Sequence, residues 1–112
     1  MPNNVKFIHD GDSIDYTPAT AVTAGDVIVQ GELIGVAKRD IAANALGALT
    51  VRGVYDFPKA TGASTAIAAG VNVYWNAGTG LDTTTASGNK LLGKTVRAAA
   101  DADALVRVRL LQ

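Results

Sequence analysis

Short runs of apolar and β-branched residues recur along the chain, with glycine, proline, aspartate or asparagine between them. The alternation is clearest near the end, where Val106 and Val108 alternate with Arg107 and Arg109. A period of two is typical of β-strands, because successive side chains point to opposite faces of a sheet. The runs predict strands at Val5–Ile8, Ile14–Thr17, Val27–Gln30, Leu33–Lys38, Ala48–Phe57, Val71–Asn76, Gly80–Thr83, Lys90–Ala98 and Ala104–Leu111.

Helical patterns are scarce between these runs. The alanine-rich segments Asp40–Leu46 and Ala60–Ala69 lack a sustained apolar stripe at a period of 3.6 residues, so we expect at most one or two short helices. Gly53 interrupts the longest apolar run and predicts a bulge or bend there. Many short strands with turn residues between them predict an all-β fold, either a compact sandwich or a partly closed barrel of mostly antiparallel strands.

Two parts of the chain resemble each other, which predicts an internal duplication. The second copy carries a polar insertion at Asn76–Asn89. We predict an N-terminal arm with the first strands in residues 1–20, and a β-domain in residues 21–112 built from quasi-repeats at about 21–58 and 66–112. Chance similarity among strands rich in alanine, valine and glycine is the alternative. The matched segments are Val22–Gly25 with Ile67–Gly70, Leu33–Gly35 with Leu91–Gly93, and Leu49–Arg52 with Val106–Arg109.

The composition fits one small domain and narrows the classes of function. The 112 residues are 48% hydrophobic and include no cysteine, which excludes disulfides and thiolate metal sites. Lysine and arginine total 10, as do aspartate and glutamate, so the basic excess typical of nucleic-acid-binding domains is missing. A net charge of zero also favours self-association. No apolar run predicts a membrane helix, and the first residues do not resemble a secretory signal.

One segment matches a nucleotide-binding motif. Residues 88–95 satisfy the pattern G-x-x-x-x-G-K-[ST] through Gly88, Gly93, Lys94 and Thr95. A phosphate-binding loop follows a buried strand and opens a helix, whose N-terminal amides face the phosphates. Here polar residues precede the match, and the residues after it lead into another predicted strand. We therefore interpret the match as coincidental and predict no bound cofactor.

The acidic residues near the only histidine do not predict a site. His9, Asp10 and Asp12 could form an acid–base couple or a weak metal site, but the Asp-Gly-Asp sequence is typical of a solvated turn. Asp101 and Asp103 could bind a divalent ion, and we interpret them as part of a solvated loop as well. We predict no metal site.

The sequence also has no clear set of residues for catalysis by a nucleophile or by a pair of carboxylates. None of Ser13, Ser64 and Ser87 lies in a nucleophile elbow, and one histidine would have to serve all three. Glu32 is the only glutamate, and no pair of aspartates is distinguished by its spacing. The sequence therefore predicts no catalytic residues and no enzyme.

Four aromatic residues are candidates for an interface. Tyr74 and Trp75 are neighbours in a predicted strand, so we expect one to lie in the core and the other to be at least partly exposed. Tyr55 and Phe57 share one strand face, which is either core or a docking edge, with core the favoured alternative.

Four segments carry a resemblance to a known family: Ile34–Ala37, Gly53–Lys59, Ala69–Trp75 and Leu92–Leu110. With them, roughly residues 5–112 resemble the capsid cement, or decoration, proteins of tailed bacteriophages and prophages, small proteins often labelled as predicted RecA/RadA-family recombinases. The resemblance implies a β-rich fold, oligomerisation at capsid symmetry positions and binding to the outside of the major capsid lattice. It carries over no catalytic residues. A chain this short cannot hold a RecA-type ATPase core, so the recombinase label finds no support.

We therefore expect a non-catalytic phage head protein that stabilises the shell. The expected partners are the major capsid protein and other copies of the chain, as a trimer or alternatively a dimer, with no nucleic acid and no membrane. We expect it on the virion capsid surface after synthesis in the bacterial host cytoplasm. The segment Met1–Ala21 is the expected arm, and deleting Met1 to about Asp12 is expected to weaken capsid binding more than folding. The alternatives are a carbohydrate- or host-surface-binding β-module, which would need an exposed aromatic platform, and a nucleotide-dependent recombination factor.

Overall fold

The computed structural model describes residues 5–110, and the regular structure of this part of the chain consists of β-strands without any helix. The two alanine-rich segments form turns and isolated bridges instead of short helices. The strands are β1 (Ser13–Tyr16), β2 (Val27–Gln30), β3 (Leu33–Val36), β4 (Gly47–Thr50), β5 (Gly53–Pro58), β6 (Asn72–Asn76), β7 (Leu81–Thr83), β8 (Lys90–Thr95) and β9 (Leu105–Leu110).

The strands form two antiparallel sheets, which confirms the predicted all-β sandwich. The first sheet has the order β1-β4-β3-β2 and the second has the order β5-β9-β8-β6-β7. The main apolar core joins them, because Ile34 and Val36 of β3 pack with Phe57, Trp75 and Val108 of the second sheet. A smaller cluster within the first half comprises Val22, Ala37, Ile41 and Leu49.

Two of the predicted strands differ from the structure by more than a few residues at their ends. The run Val5–Ile8 is exposed and belongs to no ladder of the described chain, since the first ladder begins only at Ser13. An apolar run forms a strand only when a neighbouring strand satisfies its backbone. The run Ala48–Phe57 is divided between β4 and β5. Gly53 has a φ of 116°, a conformation that side chains rarely tolerate, and the chain passes from one sheet to the other there.

The two sheets share one strand order. In their order across the sheet, strands β1, β4, β3 and β2 correspond to β5, β9, β8 and β6, respectively. Strand β7 is an additional strand at the edge of the second sheet. The backbone hydrogen bonds follow the same correspondence. Val22 and Ile41 exchange two hydrogen bonds of 2.8 Å in the first half, and Ile67 and Ala99 exchange two of 2.9 and 2.8 Å in the second.

The strand pairing places β1 with the first half and β5 with the second. In the matching ladders, Asp15 lies opposite Ala48 and Asp56 lies opposite Arg107. This division differs from the predicted one, which put β1 with the arm and β5 in the first repeat. We therefore propose that the related units are residues 13–50 and 53–110, with β7 inserted in the second.

Candidate functional site

The residues that match the nucleotide-binding pattern form a strand rather than a phosphate-binding loop. Lys94 and Thr95 end β8, a strand that is paired on both sides, by β6 and β9. The buried Thr95 hydroxyl donates to the carbonyl of Ala68 at 2.7 Å, and Lys94 donates to the Asn72 side chain at 3.0 Å. A P-loop needs free amides at the start of a helix. The backbone from Gly93 to Thr95 is instead used in sheet pairing.

The residues around His9 do not form a chemical site. The ring of His9 is exposed, and its Nδ1 donates to the backbone carbonyl of Asp10. Asp12 accepts from Arg52 at 3.2 Å, in an exposed ion pair across the end of the first sheet. These contacts hold the chain locally before β1, and they leave no shared acid–base pair between His9 and Asp12.

The two acids of the loop before β9 accept hydrogen bonds from backbone amides. Asp101 Oδ1 accepts from the amides of Thr65 and Ala66 at 3.0 and 2.7 Å, which ties two connections of the second half together. Asp103 Oδ2 accepts from the amide of Ala100 at 2.8 Å, as in a tight turn. Within residues 5–110 no group of histidine and acidic side chains could hold a metal ion.

The remaining candidates for catalysis are also dispersed. Ser13 lies in β1, while Ser64 and Ser87 lie in turns, and no hydrogen bond joins any of them to His9 in the described chain. Glu32 forms an ion pair with Lys90 at the surface.

The described part of the chain also contains no helix long and apolar enough to cross a membrane.

The four candidate aromatic residues lie mostly inside the sandwich. Phe57 and Trp75 are buried core residues whose rings meet edge to face with centroids 6.2 Å apart, so neither offers a surface to a partner. Tyr55 is half-buried, packs against Phe57 at 6.1 Å and donates its hydroxyl to the carbonyl of Arg52. Tyr74 is half-buried on the opposite face of β6 from Trp75. Phe57 and Trp75 therefore lie in the core, and a role of the four residues at an interface stays a prediction.

Sequence reasoning missed a buried acid on the inserted strand β7. Asp82 is only 4% exposed, and neither oxygen of its carboxyl group has a hydrogen-bond partner in the described structure. Burial raises the pKa of Asp82 to about 8, because the charged form loses its hydration. The Asp82 side chain lines a cavity of about 150 Å³ together with Lys59 and Thr65. Asp82 is therefore protonated at neutral pH.

Lys59 is a second buried polar group that the sequence did not reveal. It follows β5 and is 3% exposed. Its ammonium group donates to the carbonyls of Ala60, Ala100 and Asp103 at 2.7, 3.0 and 2.9 Å. The buried charge is therefore surrounded by oxygen acceptors, and it joins the end of β5 to the connection between β8 and β9.

A bidentate ion pair lies on the exposed side of the second sheet. Arg107 Nε and Nη2 donate to the two oxygens of Asp56 at 3.0 and 3.2 Å. The hydrogen bond from Arg107 lowers the pKa of Asp56, and the same contact raises the pKa of Arg107. The matching position opposite Asp15 in the first sheet is Ala48, so the pair occurs in one half only.

Three of the four most exposed large apolar side chains in residues 5–110 lie before β1. Val5, Phe7 and Ile8 are 92%, 77% and 71% exposed, and no strand of the described structure pairs with this segment. Large apolar side chains that stand together in water mark a surface for a partner, whereas isolated ones need no explanation. Residues 5–10, a part of the predicted N-terminal arm, are therefore the candidate contact surface of the molecule, and from here on the arm means these residues.

Comparison with known proteins gives a match to a protein family. A family model described as phage cement protein covers residues 8–110 of the chain. No curated protein matches the chain, and no solved structure matches it.

Proposed function

Because the chain belongs to the phage cement protein family, we propose that it binds the outer surface of the major capsid lattice and stabilises the shell. The family gives the chain a structural role in the phage capsid. The observation that carries the finer proposal is the arm, in which Val5, Phe7 and Ile8 are exposed beside a packed sandwich. Contact with a capsid subunit would remove these side chains from water, at roughly 25 cal/mol per Å² of apolar surface.

Stabilising a shell requires no moving part, so a sandwich of two packed sheets suits this role. Its two sheets share a core, and contacts that repeat over a shell gain from high effective concentration, so each can be modest. The described residues supply no catalytic constellation, and a binding scaffold needs none. We propose that the protein is located on the capsid surface and acts without catalysis.

We further propose that the molecule assembles with itself on the shell, as a trimer in preference to a dimer. The zero net charge gives copies little mutual repulsion. Light scattering of the purified protein, alone and after release from shells, would measure the size of the assembly. A monomer in both states would contradict the proposal.

Co-sedimentation with expanded capsid shells tests the proposed function. The intact chain should sediment with shells and raise the temperature at which they open. A chain without residues 1–10 should bind at least roughly 10-fold more weakly, because the apolar contacts of the arm are lost. The deletion stops before Asp12, whose carbonyl accepts from the amide of Val51 and whose carboxylate pairs with Arg52, so folding should be preserved.

A point variant gives a matched control for the deletion. Phe7→Ser with Ile8→Ser should weaken binding like the deletion, whereas Val54→Ser removes an exposed apolar side chain of β5 outside the arm and should not. Equal occupancy of shells by the intact and arm-deleted chains would contradict the role of the arm. Failure of the intact chain to sediment with shells would contradict capsid binding itself.

A further inference from the structure

The inserted strand β7 is held in the second sheet by few contacts. It has three residues, lies at the edge of the sheet and pairs with β6. On its other side an isolated bridge joins Asp82 to Lys59, the residue after β5. The hydrogen bonds within the turns of residues 77–89 are local, such as the one from the Gly80 amide to the Asn76 carbonyl at 2.8 Å. Opening of β7 therefore breaks few interactions with the rest of the chain.

The segment that carries β7 leaves the sheet and re-enters it at one place. Trp75 of β6 lies directly opposite Lys90 of β8, so residues 76–89 form a single excursion between two paired strands. The matching sheet of the first half has four strands and no counterpart of β7. The segment can therefore separate from the sandwich without breaking the ladder between β6 and β8.

Asp82 is the one buried residue of β7, since Leu81 and Thr83 are half-buried. Both of its carboxyl oxygens are shielded from water and lack a hydrogen-bond partner in the described structure. Burying a carboxylate without a partner costs far more free energy than burying the protonated, neutral group. The residue that anchors β7 in the core is therefore well accommodated only while it carries a proton.

The charged groups of the neighbouring elements are engaged elsewhere. The ammonium group of Lys59 is bound by three backbone carbonyls, and in the described chain it forms no ion pair with Asp82. Lys90 of β8 lies further along the same row of the sheet and pairs with Glu32. Asp101, whose charge is also negative, is held by the amides of residues 65 and 66, which border the cavity beside Asp82. Burial alone raises the pKa of Asp82 to about 8.

We propose that β7 is a pH-controlled strap, which stays in the sheet while Asp82 is protonated and separates from β6 when Asp82 loses its proton to the solvent. The two sheets otherwise remain folded. In the open form the carboxylate is hydrated, and the core face beside Trp75 becomes accessible. The proposal concerns contacts within the chain and does not depend on capsid binding.

The release of the proton sets how opening depends on pH. The carboxyl group has an ordinary pKa of 3.8 once it is hydrated, against about 8 in the closed form. Between these values opening should become more favourable by roughly tenfold for each pH unit, because the open form has released a proton that the closed form keeps. Above pH 8 both forms are ionised, so opening should level off.

Hydrogen exchange of the intact chain tests the strap. Deuterium uptake of residues 77–89 is measured at pH 6 and 9, corrected for the intrinsic exchange rate, and compared with that of β9, which lies in the main core. The amides of β7 should lose protection by roughly 100-fold between the two pH values, because opening gains about tenfold per unit up to pH 8. The amides of β9 should stay protected at both.

Two variants and a second measurement sharpen the test. Asp82→Asn should remove the pH dependence, because the amide does not ionise. Asp15→Asn changes an exposed acid in the edge strand β1 of the first sheet, and as the matched control it should behave like the wild type. Acrylamide, a neutral quencher, should reach the ring of Trp75 more readily once β7 has left. Quenching should therefore rise between pH 6 and 9 in the wild type and stay constant in Asp82→Asn.

Three outcomes would overturn the strap. The first is protection of β7 that is unchanged at pH 9, and the second is an equal pH dependence in Asp82→Asn. The third is a joint loss of protection in β7 and β9, since the whole sandwich then unfolds. None of these outcomes bears on capsid binding, which the sedimentation of shells decides.

Discussion

Asp82 lies directly opposite Trp75 across the ladder between β6 and β7, so the buried carboxyl group without a partner is the cross-strand neighbour of the only tryptophan. Side chains opposite each other in a ladder lie on the same face of the sheet. Trp75 is 8% exposed and its ring packs on Phe57, which places this face in the core. The inserted strand therefore brings an acid into an apolar environment.

The stability of the protein should fall as the pH rises from about 4 to 8. Asp82 has a pKa of about 8 in the folded chain, against an ordinary value of 3.8, so in this range the folded state keeps a proton that the unfolded state has released. The free energy of unfolding then decreases with increasing pH and levels off above pH 8. Urea unfolding at pH 5, 7 and 9 measures this slope.

Asp82→Asn should remove that slope, because the amide does not ionise. At pH 9 the variant should be more stable than the wild type by on the order of a few kcal/mol, since one pKa unit corresponds to about 1.4 kcal/mol. Asp10→Asn, a change at an exposed acid, serves as the control and should leave the slope intact. A slope that persists in Asp82→Asn would assign the pH dependence to other groups.

Trp75 should report the ionisation of Asp82. Because the two residues are cross-strand neighbours, the fluorescence of Trp75 should change with a midpoint near pH 8, while circular dichroism shows that the fold is kept. The change should be absent in Asp82→Asn. A midpoint near pH 4 in the wild type would show that the carboxyl group is hydrated in the folded protein.

Lys59→Met should destabilise the fold by about 1–3 kcal/mol, although methionine nearly matches the length of the lysine stem. The change leaves the carbonyls of Ala60, Ala100 and Asp103 without their shared donor. Lys38→Met, at an exposed position, should change the free energy of unfolding by less than about 0.5 kcal/mol. Thermal or urea unfolding of both variants at one pH makes the comparison, and equal stabilities would contradict the role of Lys59.

Gly35→Ala should destabilise the first sheet by about 1–3 kcal/mol through overpacking. A Cβ atom at Gly35 would lie 2.8 Å from the Cβ atom of Leu49, which is fully buried and has little room to move. Gly11→Ala provides the control, because no atom lies within 4 Å of a Cβ atom built there. Urea unfolding should separate the two variants, and a neutral Gly35→Ala would show that Leu49 can shift.

The sequence predicts the sandwich well where strand patterns and turns agree, as in β2, whose bounds are as predicted. It fails at Val5–Ile8, because an apolar alternation does not show whether a partner strand exists. It also does not show that the chain passes from one sheet to the other at Gly53, since a bend can be predicted from the glycine but the change of sheet cannot. The likeness between Ile14–Tyr16 and Tyr55–Phe57 becomes visible only once the ladders are compared.

The buried polar groups lie beyond what the sequence indicates. Asp82 belongs to a short polar segment, and its pairing with Trp75 turns its side chain inward. Lys59 follows a strand, and its buried ammonium group is surrounded by carbonyls of residues far away in the chain, Ala100 and Asp103. Tertiary pairing, rather than local pattern, determines both features.

The shared strand order has a consequence for how the molecule can diversify. In a dimer of identical chains every substitution occurs twice, whereas two related sheets in one polypeptide can change independently. In this chain β7, Asp82 and the Asp56–Arg107 pair belong to the second sheet and have no counterpart in the first. A large icosahedral shell places chemically identical subunits in environments that are only approximately alike. A protein with two similar but unequal halves is suited to such a surface, because each half can match a different local environment.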